Sequence, residues 1–282
     1  MTQHSPLKRH ALAIRAGILR AIAAAGSGHP GGSLSAVEIL TTLYFDTMKL
    51  HSQDPNWSER DRFVLCKGHA APALYATLVQ KGYFAAEELV TLRQLGSRLQ
   101  GHPEMKNTPG VDFSTGSLGQ GLSAALGMSL ASRQQFPEMR VFALLGDGEL
   151  QEGQVWEALM AAGHYQTGNL TAIIDQNGLQ IDGDITEVMS PLPIAEKLHA
   201  FNWEVHQVDG HSFAQLQEVL NNKGVPYGKP KMIIAETVKG KGISFMEADP
   251  SWHGRAPDPE QLAEALLELE MQLLKIGGAS SV

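Results

Sequence analysis

The sequence predicts an α/β protein built on an open, mainly parallel sheet with helices on both faces. Five short runs, residues 62–66, 140–145, 170–175, 203–208 and 231–237, are nearly continuously apolar or β-branched. Such runs suit strands covered on both sides, as in a parallel sheet. Segments of helical periodicity fall between them, and that alternation is the pattern of an α/β sheet. Polar, glycine-rich sequence follows two of the runs directly: "GDG" after the second and "DQNG" after the third. In open α/β sheets, ligands sit beyond the carboxyl ends of the strands.

The N-terminal stretch "MTQHSPLKRHALAIRAGILRAIAAAG" carries positive charge and alanines, but Arg15 and Arg20 interrupt it. Ile14, Ile18, Ala21, Ile22 and Ala25 recur at helical spacing, so it reads as an amphipathic helix rather than a signal peptide. The first strand run ends in Cys66, the single cysteine. No disulfide framework is available, which fits a reducing cytoplasm, and Cys66 reads as a buried small hydrophobe. Residues 120–135, 152–166 and 213–222 read as helices, with Gly168 placed to end the second. Asp258 is a good N-cap and Pro259 a good first residue for a last helix over about 259–276. Leu262, Leu266, Leu269, Leu273 and Ile276 form its apolar stripe, Gly277 ends it, and the tail "GGASSV" reads as loose.

The chain has 282 residues, 43% hydrophobic and 18% charged, enough to bury a sizeable core. With no repeat, linker or charge run to divide it, residues 1–282 read as one domain. The formal net charge of −8, without a basic block, argues against a nucleic-acid partner. No stretch reaches membrane-spanning length.

Asp147 and Asn177 end the two strand runs thirty positions apart. They offer a carboxylate and a neutral carbonyl oxygen. A small hard cation such as Mg²⁺ takes one or two such ligands and completes its shell with backbone carbonyls, water and phosphates. Gly146 and Gly148 relax the backbone, and the Gly148 N–H can approach an anion at the start of the following helix. Each motif alone is an ordinary turn; together, after successive strands, they suit a metal-bound diphosphate. No G-x-x-x-x-G-K-[ST] phosphate loop is present, and "STGSLGQG" lacks the dinucleotide spacing.

Four of the eleven histidines sit in glycine-flanked loops: His29 in "SGHPGG", His69 in "KGHAAP", His102 in "QGHPE" and His253 in "SWHGR". Imidazoles in such settings can reach a ligand and move protons near neutrality. Their spacing is not that of a zinc site, so they read as polar ligand contacts.

In order along residues 8 to 258, these motifs and "GDGELQEGQVWEA", "IIDQNGLQIDG" and "ETVKGKGISFME" resemble the N-terminal, diphosphate-binding portion of transketolase. The resemblance implies the thiamine diphosphate-binding fold. It implies that Asp147, Asn177 and the backbone carbonyl of Leu179 hold Mg²⁺ or Ca²⁺. Gly148, His69 and His253 would contact the diphosphate, and Gly116, Leu118 and Ile181 the rings of thiamine diphosphate. His29, His69, His102 and His253 would bind sugar hydroxyls and shuttle protons. Glu152 resembles a glutamate at the junction with a partner domain; its plainer reading is a first-turn helix acid. The implied activity is transfer of a two-carbon ketol unit from a ketose or ketose phosphate to an aldose or aldose phosphate. The cofactor supplies the carbanion stabilisation.

In that family a second domain holds the pyrimidine and brings the activating glutamate, and nothing here resembles it. The expectation is therefore a split enzyme. This chain would be the N-terminal subunit, paired with a C-terminal subunit in an α2β2 heterotetramer. Alone it would be inactive. Two alternatives stand beside this expectation. One is the α-subunit of a thiamine diphosphate-dependent 2-oxo acid dehydrogenase, against which the glycine-flanked histidines speak. The other is a non-catalytic binding subunit, against which the full motif set speaks.

Overall fold

A computed structural model describes residues 4–181 and 183–278. All five apolar runs are strands: β1 (Arg62–Leu65), β2 (Val141–Gly146), β3 (Leu170–Gln176) and, after a short hairpin of β4 (Leu179–Gln180) and β5 (Gly183–Asp184), β6 (Glu204–Asp209) and β7 (Lys231–Glu236). They pair in parallel in the order β1-β2-β3-β7-β6. Alternate side chains enter separate cores. Phe63, Leu65, Phe142, Leu144 and Ile173 point one way; Val64, Val141, Ala143, Leu145 and Ile174 point the other. Two covered faces explain why the runs are apolar without alternation. The exception is β6, where only Val208 is buried, although its run reads as a doubly covered strand. Among the described residues it lies at one edge of the sheet, opposite β1, whose Phe63, Val64 and Leu65 are buried.

One face is covered by α1 (Ser5–Ala25), α2 (Pro30–Leu34), α3 (Val37–Thr42), α4 (Ala71–Lys81) and two later helices. The other is covered by α5 (Gln120–Gln135), α6 (Gly153–His164) and, after a one-turn α7 (Ile185–Met189), by α8 (Ile194–Ala200). The later helices on the first face are α9 (Phe213–Asn221) and α10 (Pro259–Gly278). Helix α5 spans the residues the periodicity predicts. Helix α6 stops at His164, and the left-handed residue beyond it is Gln166, at φ 51°, rather than Gly168. Gly168 is needed for space: a Cβ there would lie 1.9 Å from the Val225 carbonyl oxygen. Asp258 caps α10 reciprocally: its Oδ1 accepts from the Gln261 N–H at 2.8 Å and its own N–H donates to Gln261 Oε1 at 3.1 Å. Ala265 and Leu269 carry the burial of α10, while Leu273 of the predicted stripe is exposed. The helix runs through Gly277 rather than ending there. Most of the tail expected to be loose, residues 279–282, lies outside the described residues. No helix among the described residues is long and apolar enough to cross a membrane.

Arg15, which interrupts the apolar pattern of α1, is itself buried, and its partner explains why. It makes a two-pronged pair with Glu38 of α3, both contacts 2.8 Å, and donates to the Lys241 carbonyl at 2.9 Å. His211 Nδ1 completes the cluster 2.9 Å from Glu38, while its Nε2 accepts from the Val238 N–H. Burial pushes the Glu38 carboxyl up, but the Arg15 charge and the Arg15 and His211 hydrogen bonds outweigh it and hold it at about 2. A depressed folded value contributes stability above the ordinary 4.5 and loses it as pH falls toward 2. Glu38→Gln, which strands a buried guanidinium, is expected to cost roughly 3 kcal/mol at neutral pH. Urea denaturation of both proteins across pH checks this, and the deficit should shrink below pH 4.5.

Candidate active site

Four adjacent strands deliver polar side chains beyond their carboxyl ends: Lys67 and His69 after β1, Asp147 after β2, Asn177 after β3 and Lys239 after β7. They line a cavity of about 400 Å³. Of the residues singled out from sequence, His29, His69, Gly116, Leu118, Asp147, Gly148, Glu152, Asn177, Leu179, Ile181 and His253 all line it. His102 does not; its ring packs against Gly116, 3.2 Å from where a Cβ would stand.

Asp147 ties the two motifs together. Its Oδ1 accepts from the Gly148 N–H at 2.8 Å and its Oδ2 from the Gly178 N–H at 2.6 Å. Gly178 sits at φ 74°, a left-handed conformation that glycine reaches without a Cβ penalty. The Gly148 N–H, expected from sequence to face an anion, donates here to the adjoining Asp147 carboxylate. Burial and the Asp175 charge push the Asp147 carboxyl up to about 6, against those two hydrogen bonds. Asn177 Oδ1 accepts from the Leu179 N–H at 3.1 Å. The Leu179 carbonyl oxygen lies 3.3 Å from the Lys239 ammonium, which also lies 3.0 Å from His253 Nδ1.

Below them is a buried pair. Lys67 Nζ lies 2.5 Å from Asp175 Oδ2, and Asp175 also accepts from the Ser35 and Thr237 hydroxyls. Burial raises the Asp175 carboxyl, but the Lys67 charge and these hydrogen bonds bring it below the usual range. Burial and the Lys67 charge lower Lys239 to about 8.

Three imidazoles converge above this floor. Ring centroids are 5.3 Å apart for His29–His69, 5.3 Å for His29–His253 and 5.5 Å for His69–His253. Burial, then the charges of Arg93 and other cationic neighbours, lowers His29 to about 4. Burial and then Lys239 lower His253 to about 4. Burial and Lys67 hold His69 well below its ordinary value, and burial and Arg93 lower His102. All are therefore neutral near pH 7, able to accept a hydroxyl proton. Among the described residues, His29 Nδ1 is buried without a hydrogen-bond partner.

The donor set fits a small divalent ion: a carboxylate, a carboxamide and a carbonyl, all hard oxygens. An ammonium already rests on the Leu179 carbonyl, so the position favours a cation. Lys67 and Lys239 supply positive charge for an anionic tail. Glu152 is the N-cap residue of α6 and makes no capping hydrogen bond. It is exposed at the cavity and lies against Gly119.

Sequence reasoning missed Lys67, Glu149 and Lys239. Lys67 follows a strand directly, and the rule that ligands meet strand ends flags that position. Lys239 lies in "VKGKG", which offers only a charged loop. Glu149 is indistinguishable in sequence from an exposed turn acid, yet it is 2% exposed.

A family model described as "Transketolase, thiamine diphosphate binding domain" matches residues 7–272. The chain is 44% identical, over 96% of its length and 98% of the relative's, to the 6-deoxy-6-sulfo-D-fructose transketolase subunit SqwG of Clostridium sp. (strain MSTE9). It is 41% identical, over 89% of both chains, to an apulose-4-phosphate transketolase subunit from Phocaeicola vulgatus. It is 45% identical to human transketolase over 93% of its own length but only 41% of that protein. The structure of Pichia stipitis transketolase with sedoheptulose 7-phosphate superposes with a TM-score of 0.86 at 31% identity, over 98% of this chain and 45% of that one. The fold is thus that of a thiamine diphosphate-binding α/β domain. More narrowly, the chain belongs to the transketolase family, as its N-terminal domain.

The loop bearing Gly116 and Leu118 is fixed by a close approach. The Thr115 hydroxyl donates to the Leu65 carbonyl at 2.7 Å, and a Cβ on Gly68 would stand 2.8 Å from the Gly116 nitrogen. Gly68→Ala is expected to displace this loop and cost about 1–3 kcal/mol in urea denaturation, as overpacking does.

Proposed function

We propose that this chain is the N-terminal subunit of a thiamine diphosphate- and Mg²⁺-dependent transketolase. Assembled with a C-terminal subunit, it transfers a two-carbon ketol unit from a ketose or ketose phosphate to an aldose or aldose phosphate. The carrying observation is Asp147: one carboxylate bridges the Gly-Asp-Gly loop and the Asn-Gly turn beside three neutral histidines. Relatives matched over nearly their whole length are named as transketolase subunits, which supports a complementing chain.

On this reading Asp147, Asn177 and the Leu179 carbonyl hold Mg²⁺, or Ca²⁺ in its place. Gly148, His69 and His253 meet the diphosphate, with Lys67 and Lys239 balancing its charge. Gly116, Leu118 and Ile181 line the ring side, and Glu152 stands at the junction with the partner. Thiamine diphosphate supplies the carbanion stabilisation that carbon–carbon cleavage needs. The histidines do what this chain can do with protons: His29, His69 and His253, neutral and clustered, accept and return hydroxyl protons of the sugar, and His102 binds beside Gly116. The partner brings the pyrimidine pocket and the activating acid. The assembly is α2β2, the chain one domain, and the setting cytoplasmic, in keeping with one buried cysteine.

Co-expression with the complementing chain, then assay with ketose donors, aldose acceptors and pyruvate, tests the reading. Ketol transfer by the pair and none by the lone chain is expected. Activity on pyruvate alone would move the protein to the 2-oxo acid dehydrogenases. Asp147→Ala is expected to weaken Mg²⁺-dependent thiamine diphosphate retention by the complex at least about a hundredfold, roughly 3 kcal/mol. Retention measured after gel filtration decides it, and unchanged retention removes Asp147 from the metal site.

A further inference from the structure

We propose that Glu149 is a positioning residue that fixes the distance between the two ends of the cofactor cavity. The inference rests on the thiamine diphosphate reading above. Glu149 lies in the 3-10 turn Gly148–Gln151 and lines the cavity, yet its residue is 2% exposed. Its Oε1 accepts from the Gly119 N–H at 2.9 Å and its Oε2 from the Gly146 N–H at 3.2 Å. Gly119 directly follows Leu118, on the ring side. Gly146 directly precedes Asp147, on the diphosphate side. A single carboxylate therefore spans from one end of the site to the other.

Both partners are donors, so the bridge requires an acceptor at each end. An ionised carboxylate has that and a carboxamide does not: its NH2 group would face one of the N–H groups. Gly119 has little freedom to relax. It sits at φ 84°, and its missing Cβ would stand 2.8 Å from the Glu152 Cβ. Burying a carboxylate is costly, and here that cost is borne to give acceptors to two backbone N–H groups on separate loops. The expense is explained if the two glycine loops must be held in register for a ligand that touches both.

Two probes separate positioning from general support. Inorganic pyrophosphate with Mg²⁺ can engage only the Asp147 end. Thiamine diphosphate with Mg²⁺ engages both ends. In calorimetric titrations of the complex with the complementing chain, Glu149→Gln is expected to raise the Kd for thiamine diphosphate about tenfold or more. The Kd for pyrophosphate should stay within about twofold, and amide exchange should show lost protection at Gly119 or Gly146. Glu149→Asp, which keeps the charge but is one methylene short, should show the same split and serves if the Gln variant does not fold. Unchanged thiamine diphosphate affinity, or equal loss for both probes, overturns the assignment. Failure of the wild-type complex with the complementing chain to bind either probe overturns the cofactor reading, and this inference with it.

Discussion

The floor of the cavity depends on one buried carboxylate. Asp175, at the end of β3, collects the Lys67 ammonium from beyond β1, the Ser35 hydroxyl from between α2 and α3, and the Thr237 hydroxyl from beyond β7. Three separate parts of the chain are thereby held at the carboxyl edge of the sheet. A buried ion pair of this kind contributes little net stability against an apolar replacement, but breaking it from one side leaves an uncompensated charge. Its effect here is geometric and electrostatic together. The Asp175 charge is one cause of the raised Asp147 carboxyl, and the Lys67 charge is one cause of the lowered Lys239, His69, His29 and His253.

That electrostatic arrangement separates two tasks within one cavity. Positive charge resides on the lysines, while the imidazoles beside them are kept neutral. An anionic group entering the site meets cations near Asp147 and the Leu179 carbonyl. A hydroxyl entering among the histidines meets bases. Burial lowers them first, and neighbouring cations lower them further.

Much of this was legible in sequence because it depends on local rules. Doubly covered strands leave continuous apolar runs, and the Asp258–Gln261 cap leaves its signature in the residues themselves. Glycine-flanked histidines and strand-end polar turns marked most of the cavity wall. What was not legible depends on contacts distant in sequence. Lys67 and Asp175 are 108 positions apart, and Glu149 reaches Gly119 across 30. Arg15 looked like a break in an apolar stripe because Glu38 and His211, which accommodate it, lie on other elements. The β6 run has the composition of a doubly covered strand, and nothing local to it records that most of its side chains stay partly exposed.

The cavity is also unequal in its two directions. Toward the sheet it is closed by buried groups: Asp147, Glu149 and Lys67 are each 3% exposed or less. Away from the sheet its rim is Glu152, exposed, and Ile181, 70% exposed. A charged, metal-bound tail needs fixed dipoles and counter-charges, and those must be built into a rigid sheet edge. An aromatic ring needs apolar cover, which a second surface closing over an exposed isoleucine can supply. The inequality accords with the proposed division of labour: this chain brings pre-organised charge for an anionic tail, and the partner covers the ring and brings the activating acid.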